Sequence, residues 1–230
     1  PCRMIAPSLK ELAKEYKDSI YVYKVDVDKE KELAKKNAKT ISSMASQKKV
    51  LLDFKEPSEF VYGIYRQKSN ILAIFSKDSM VDSIDHDTYV ATNRTCFYAE
   101  SGGQVSDTGM IIGRNFKARV VDVFKAPNGQ HIHKVRLLDG VISVGDECEL
   151  IVDKDRRKRI EADHSSCHIL QYSLQQVVSA KIHQAGSYVD EDKVRFDFTY
   201  TGKMTDEKLL EVEAFANKMI GENIIVSTEV

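Results

Sequence analysis

Ala118-Arg-Val-Val-Asp-Val-Phe-Lys-Ala-Pro-Asn-Gly-Gln-His-Ile-His-Lys-Val135 decides the fold class. Two β-branched and aromatic runs, Ala118–Phe124 and Gln130–Val135, flank Pro127-Asn-Gly129, a turn sequence, so the stretch predicts a β-hairpin. Outward from it lie further short runs of the same kind: Val50–Phe54, Phe60–Tyr65, Ile71–Phe75, Tyr89–Ala91, Gly109–Ile112 and Glu147–Val152. Asp139-Gly140 and Val144-Gly-Asp146 punctuate them. Many short strands at this spacing predict a small barrel or strongly bent antiparallel sheet between residues 50 and 152.

After residue 152 the period changes. Ile160, His164, Cys167, Gln171, Leu174 and Val178 recur at three- and four-residue steps, which predicts a helix over 155–181. Gln184–Gly186 reads as its end, and Val194-Arg-Phe-Asp-Phe198 alternates like a strand. Thr205 followed by Asp206 and Glu207 is a helix start, because a hydroxyl caps free N–H groups and acids suit the positive end. Leu209, Val212, Ala216, Met219 and Ile220 give that helix an apolar face, and Gly221 closes it.

Before residue 50 the chain reads differently. Ile5, Leu9, Leu12 and Tyr16 fit one helical face, Ile20–Val27 a strand, and Lys29–Lys36 a short charged helix. The small polar stretch 37–49 is a junction. The chain opens on Pro1, and Asn223–Val230 reads as a strand with no turn after it. Both ends are therefore expected to be cuts inside longer units.

Composition bounds the function. Across 230 residues the hydrophobic fraction is 42% and the charged fraction 30%, enough apolar side chain for a core. No run approaches the ~18 apolar residues of a membrane span, and with no basic-then-apolar stretch at the start of this sequence a secretory signal is not expected. Lys+Arg 34 against Asp+Glu 35 excludes a globally basic nucleic-acid coat, though not a local patch. Cys2, Cys96, Cys148 and Cys167 have no paired spacing, so a reduced, cytoplasmic protein is expected rather than a disulfide scaffold.

Four stretches carry possible chemistry. His164 and His168, four residues apart on a helix, put two imidazoles on one face, about 5–6 Å apart at Cβ, as a helix offers two ligands to one zinc. Two hydrogen-bonded, half-buried histidines are the competing reading. Glu100-Ser-Gly-Gly-Gln104 pairs a backbone that allows close approach with an amide that positions a water or carbonyl without titrating; the alternative is a glycine turn with a surface Gln. Lys154-Asp-Arg-Arg-Lys-Arg159 could grip phosphates or form a solvated first helical turn. Gln184-Ala-Gly-Ser187 with Arg195-Phe-Asp-Phe198 is, in isolation, a helix end and a strand.

In this order, Phe97-Tyr-Ala-Glu-Ser-Gly-Gly-Gln104, Arg159-Ile-Glu-Ala-Asp-His-Ser-Ser-Cys-His-Ile-Leu170, Gln184-Ala-Gly-Ser187 and Val194-Arg-Phe-Asp-Phe198 closely resemble the editing region of alanyl-tRNA synthetase, over roughly residues 50–230. The resemblance implies an α+β fold: a small antiparallel β-barrel (50–152) followed by an α+β editing domain (153–230) of the threonyl/alanyl-tRNA synthetase second additional domain type. It implies hydrolysis of Ser-tRNA(Ala) or Gly-tRNA(Ala), with the tRNA(Ala) acceptor end as partner. His164 and His168 would be half of a zinc site whose family pattern adds a later Cys-x-x-x-His, a motif with no counterpart in these 230 residues. Gln184 would lie at the editing pocket, with Gln104 facing it, and ATP would belong only to a full-length parent with its aminoacylation domain.

Residues 1–36 resemble something else. Pro1-Cys-Arg-Met-Ile-Ala-Pro-Ser-Leu-Lys-Glu-Leu-Ala-Lys-Glu-Tyr16 and Val22-Tyr-Lys-Val-Asp-Val-Asp28 look like thioredoxin just after its Cys-x-x-Cys, as a truncated α/β segment. The chain then reads as a chimera or rearranged partial gene. A non-catalytic tRNA-binding fragment and a thioredoxin-like redox protein are the rivals to editing, the latter weakened because Cys2 has no resolving partner.

Overall fold

The computed structural model describes residues 50–51, 54–76 and 79–222. The helix–strand–helix reading of residues 4–36, the junction at 37–49 and the terminal strand at 223–230 lie outside the described residues. The chain divides into two compact units. One holds the described residues up to Ser101 together with Ser106–Arg156; the other holds Gly102–Val105 and the described residues from Arg157 on.

The first unit is a closed barrel. Its described strands are β1 (Glu59–Phe60), β2 (Arg66–Ser76), β3 (Ser79–Val81), β4 (Ser83–Ile84), β5 (Thr88–Thr92), β6 (Arg94–Thr95), β7 (Gly109–Gly113), β8 (Phe116–Lys125), β9 (His131–Gly140), β10 (Ile142–Ser143) and β11 (Glu147–Val152). The order β11-β7-β8-β9-β5-β2, with β11 pairing back onto β2, closes six antiparallel strands and leaves β3 as a flap on β2. Closure removes the sheet edges that would otherwise stay unpaired.

The β8–β9 hairpin is the one expected from Pro127-Asn-Gly129. Gly129 N–H donates to Ala126 O and Ala126 N–H to Gln130 O, each at 2.8 Å. Along β8, Phe116, Ala118 and Val120 point inward and so does Val123, an offset of three that breaks the two-residue period. A register shift between Val120 and Asp122 restores the inward face. These side chains join Ile71, Ile74, Val90, Phe97, Ile111, Val135 and Leu150 in one buried cluster.

A buried polar pair sits against them. His133 is fully buried; its Nε2 lies 2.8 Å from Thr95 Oγ1 and its Nδ1 3.2 Å from Val90 O, so both ring nitrogens are satisfied. Burial pushes its pKa down to about 3, and burial pushes that of His131 down to about 4. Cys96, Cys148 and Cys167 are buried free thiols, as their unpaired spacing led us to expect. Among the described residues no helix is long and apolar enough to cross a membrane.

Three expected elements differ. Residues 50–51 are helical where a strand Val50–Phe54 was expected. Of Phe60–Tyr65 only Phe60 lies in a strand, as the second residue of β1, and a turn follows. Its aromatic rings pack instead: Phe60 stacks on His131 at 5.3 Å and meets Tyr98 edge-on at 6.4 Å. Gln184–Gly186 is not a helix end but the start of a strand.

The second unit contains most of α1 (Lys154–Val177), then β12 (Gln184–Val189), β13 (Val194–Phe198) and α2 (Asp206–Gly221). The helix α1 stops four residues before the expected 181. β12 and β13 form an antiparallel hairpin with a bulge between Gln184 and Gly186. Leu174, Ile182 and Val212 make a small core under Phe196 and Phe198. Thr205 caps α2 as expected, its side chain accepting from Lys208 N–H at 3.3 Å. The described fold is thus the expected α+β class with the expected barrel.

Candidate functional site

The candidate site lies within the second unit. α1 carries His164, buried, and His168 one turn on, exposed; their ring centroids are 5.3 Å apart at a 47° tilt. The spacing therefore does what it promised: two imidazoles on one face. His164 is held below its ordinary pKa, first by burial and then by the neighbouring charge of His168.

The Gly-Gly-Gln loop joins them. Gln104 is fully buried and bridges in parallel to Val189 of β12. On either side of it, Val189 N–H donates to Gly103 O at 2.8 Å and Val105 N–H donates to Val189 O at 3.0 Å. So pinned, Gln104 places its Oε1 2.8 Å from His164 Nδ1, across 60 residues of sequence. The close approach explains Gly103. It sits at φ +84, and a Cβ there would overlap the Ser187 carbonyl oxygen and lie 2.5 Å from the Ser187 hydroxyl.

Gln184 stands at the exposed start of β12. Its Nε2 donates to Ser187 Oγ at 2.8 Å, and Ser187 Oγ in turn donates to Gly102 O at 3.4 Å. Ser187 is thus the link between Gln184 and the glycine loop, a role that reasoning from residue types missed. The only signal for it was the Gly-Ser pair inside Gln184-Ala-Gly-Ser187.

Among the described residues no group of three or more His, Cys, Asp or Glu gathers to hold a metal. The pair His164 and His168 can supply two nitrogen ligands. The Gln104 contact suits this: with the amide oxygen as acceptor, His164 Nδ1 would carry the proton and Nε2 would keep a lone pair. The residues present fit one half of a tetrahedral shell.

The basic stretch 154–159 is the first turns of α1, and three of its five cations are occupied. Arg157 is buried, with NH1 3.6 Å from Glu161 Oε1. Arg156 donates to Ser106 O at 2.8 Å, and Lys154 lies over the Tyr65 ring at 5.4 Å. Only Lys158 and Arg159 remain as candidates for a phosphate, so the stretch reads mainly as packing and capping. Cys167 is buried, as expected for a core residue off the histidine pair.

The family model for tRNA synthetases class II (A) matches residues 8–156. That span takes in residues 8–36, which by sequence alone look like thioredoxin. Curated alanine–tRNA ligases are similar over most of the chain. The one from Lactobacillus delbrueckii subsp. bulgaricus is 38% identical over 209 residues, 90% of this chain and 24% of that protein. The one from Listeria innocua is 35% identical over 210 residues, 90% of this chain and 24% of that protein. The one from Lactobacillus gasseri is 40% identical over 206 residues, 87% of this chain and 23% of that protein. The chain spans about a quarter of the length of these relatives.

Proposed function

The chain belongs to the class II (A) tRNA synthetase family, and from that premise we propose that it is an editing module of alanyl-tRNA synthetase type. Its reaction is hydrolysis of the ester that links a wrong amino acid, serine or glycine, to the 3′ end of tRNA(Ala). The observation that carries the reading is the Gln104–His164 contact at 2.8 Å. It joins two of the four stretches that resemble the editing region, and β12, which starts at Gln184, holds the loop in place.

The chemistry asks for little. An ester needs an oriented water, donors for the developing oxyanion and a slot that senses the serine hydroxyl. Editing is required because an alanine-sized apolar pocket rejects a small polar analogue poorly, whereas a site that hydrogen-bonds the hydroxyl selects it. His164 and His168 would hold a zinc ion, which would polarise the ester carbonyl or lower the pKa of a bound water. Gln184, exposed, offers a carbonyl oxygen to substrate or water while its NH2 group is engaged by Ser187. Gln104 is buried behind His164 and supports the site from within. Neither amide titrates.

The barrel at 50–152 and the editing domain at 153–230 are the natural division in this reading, with the second unit borrowing the glycine loop. The redox rival rests on the thioredoxin-like residues 1–36 alone.

Single-turnover hydrolysis of labelled Ser-tRNA(Ala), Gly-tRNA(Ala) and Ala-tRNA(Ala) by this chain, with zinc ion present, tests the proposal. The expected result is loss of the seryl or glycyl ester with Ala-tRNA(Ala) spared, reduced in Gln184→Ala and His164→Ala. Binding of tRNA(Ala) with no faster loss of any ester than in buffer would refute it in favour of the non-catalytic fragment.

A further inference from the structure

We propose that Gln104 is a positioning residue: its amide oxygen locks the His164 imidazole in the Nδ1–H tautomer, so that Nε2 faces outward with its lone pair free for a metal ion. The tautomer stands on geometry alone; giving Nε2 to a metal rests on the editing reading above.

Gln104 Oε1 has lone pairs and no proton. At 2.8 Å from His164 Nδ1 it accepts a hydrogen bond if that nitrogen carries the proton. With the amide turned as it is, a proton on Nε2 instead would leave two lone pairs facing each other in a buried place. Water cannot relieve the mismatch, because Gln104 is fully buried and His164 is buried. Leaving a buried acceptor unmet disfavours the other tautomer by about 5- to 150-fold. A histidine side chain free in water prefers the opposite tautomer, so the protein must hold this one.

The backbone keeps the amide from moving away. The two hydrogen bonds between Val189 and the residues flanking Gln104 bracket its Cα, and Gly103 packs against Ser187 with no room for a Cβ. His164 is equally fixed, mid-helix on α1. A ring nitrogen bonded to a carbonyl on one side and turned to a ligand on the other is the general means by which a protein orients a histidine ligand and raises its basicity. Gln104 acts through His164, not on the reacting atoms.

The test needs no activity. The full chain, 15N-labelled and metal-free, is examined by long-range 1H–15N correlation of its histidine side chains above pH 7, with His164 assigned by the signals lost in His164→Asn. The expected spectrum has a protonated, pyrrole-type Nδ1 and a pyridine-type Nε2. In Gln104→Ala the two nitrogens move toward the averaged values of free imidazole, while Gln104→Glu, which keeps an acceptor, retains the native pattern. Titrated with zinc ion alone, Gln104→Ala binds about 10–100-fold more weakly than the parent chain and Gln104→Glu does not. A pyridine-type Nδ1 in the parent chain overturns the proposal, even if Gln104→Ala fails to fold. Equal zinc affinity in a folded Gln104→Ala overturns the metal half of it. Failure of the editing reading shows separately, as a parent chain with the expected tautomer that leaves Ser-tRNA(Ala) intact.

Discussion

Replacing Gly103 with alanine tests how tightly the glycine loop is held, and Gly102→Ala supplies the control. Both glycines have left-handed backbones, at φ +84 and +62. An alanine in that region costs about 1–2 kcal/mol at either position. Their surroundings differ. At Gly102 a Cβ meets nothing within 4 Å, whereas at Gly103 it overlaps the Ser187 carbonyl oxygen. That oxygen is backbone in β12 and cannot swing aside like a flexible side chain. Overpacking of this kind costs about 1–3 kcal/mol more. The alternative is for the loop to lift off β12, giving up the two hydrogen bonds with Val189 and the Gln104–His164 bond, about 1 kcal/mol each. The two routes cost nearly the same, so neither offers an escape. Gly103→Ala should destabilise the second unit by about 2–5 kcal/mol, and Gly102→Ala by only the first, conformational part. Urea unfolding followed by a signal from α1, fitted with a common m-value, measures the difference. Equal destabilisation by the two substitutions, within 0.5 kcal/mol or so, would refute the close approach and with it the placement of Gln104.

Two further outcomes are expected of the barrel. His133 and His131 have folded pKa values of about 3 and about 4, both below the ordinary 6.5. The unfolded chain therefore takes up protons at higher pH than the folded one, so their stabilising contribution is complete above pH 6.5 and declines as pH falls toward 3. Between pH 7 and pH 5 each should withdraw about 2 kcal/mol, read as a falling urea midpoint; a midpoint flat over that range would show that these rings are not buried neutral. Burial, with the Asp146 charge second, pushes the Cys148 thiol up to about 12. Iodoacetamide at pH 8 should leave Cys148 unlabelled in the native protein and label it in urea, as peptide mapping by mass spectrometry will show.

Much of the fold was written in local pattern. The runs at 71–75, 89–91, 109–112, 118–124 and 147–152 fall within strands, as does 130–135 but for Gln130, because each alternates or carries β-branched residues and ends at a turn. Phe60–Tyr65 has the same composition but satisfies it by ring packing on His131 and Tyr98, a choice made by residues far away in sequence. Val50–Phe54 shows the ambiguity of a short apolar run, which serves helix and strand alike. β12 was hidden for the opposite reason: Gln184-Ala-Gly-Ser187 has weak strand propensity and becomes a strand through its pairing with β13 and with the glycine loop. In the site, the four-residue step from His164 to His168 was legible because helical geometry fixes it. The contact from Gln104 to His164 was not, since no spacing rule spans 60 residues. Only the resemblance to a known family put the two in one pocket.

The composition of the second unit also bears on inheritance. Gly102–Val105 belongs to it, yet the intervening Ser106–Arg156 belongs to the barrel. A gene segment beginning anywhere from codon 106 to codon 164 carries both histidines and leaves behind the glutamine bonded to the first of them. Any recombination breakpoint between codons 105 and 163 separates Gln104 from His164, so the two can be exchanged between genes only with the hairpin strands of the barrel travelling along. Shuffling of this region among relatives should respect a linkage block of at least residues 102 to 189, and hybrids joined within it should be rare among functional genes even where their sequences align without gaps.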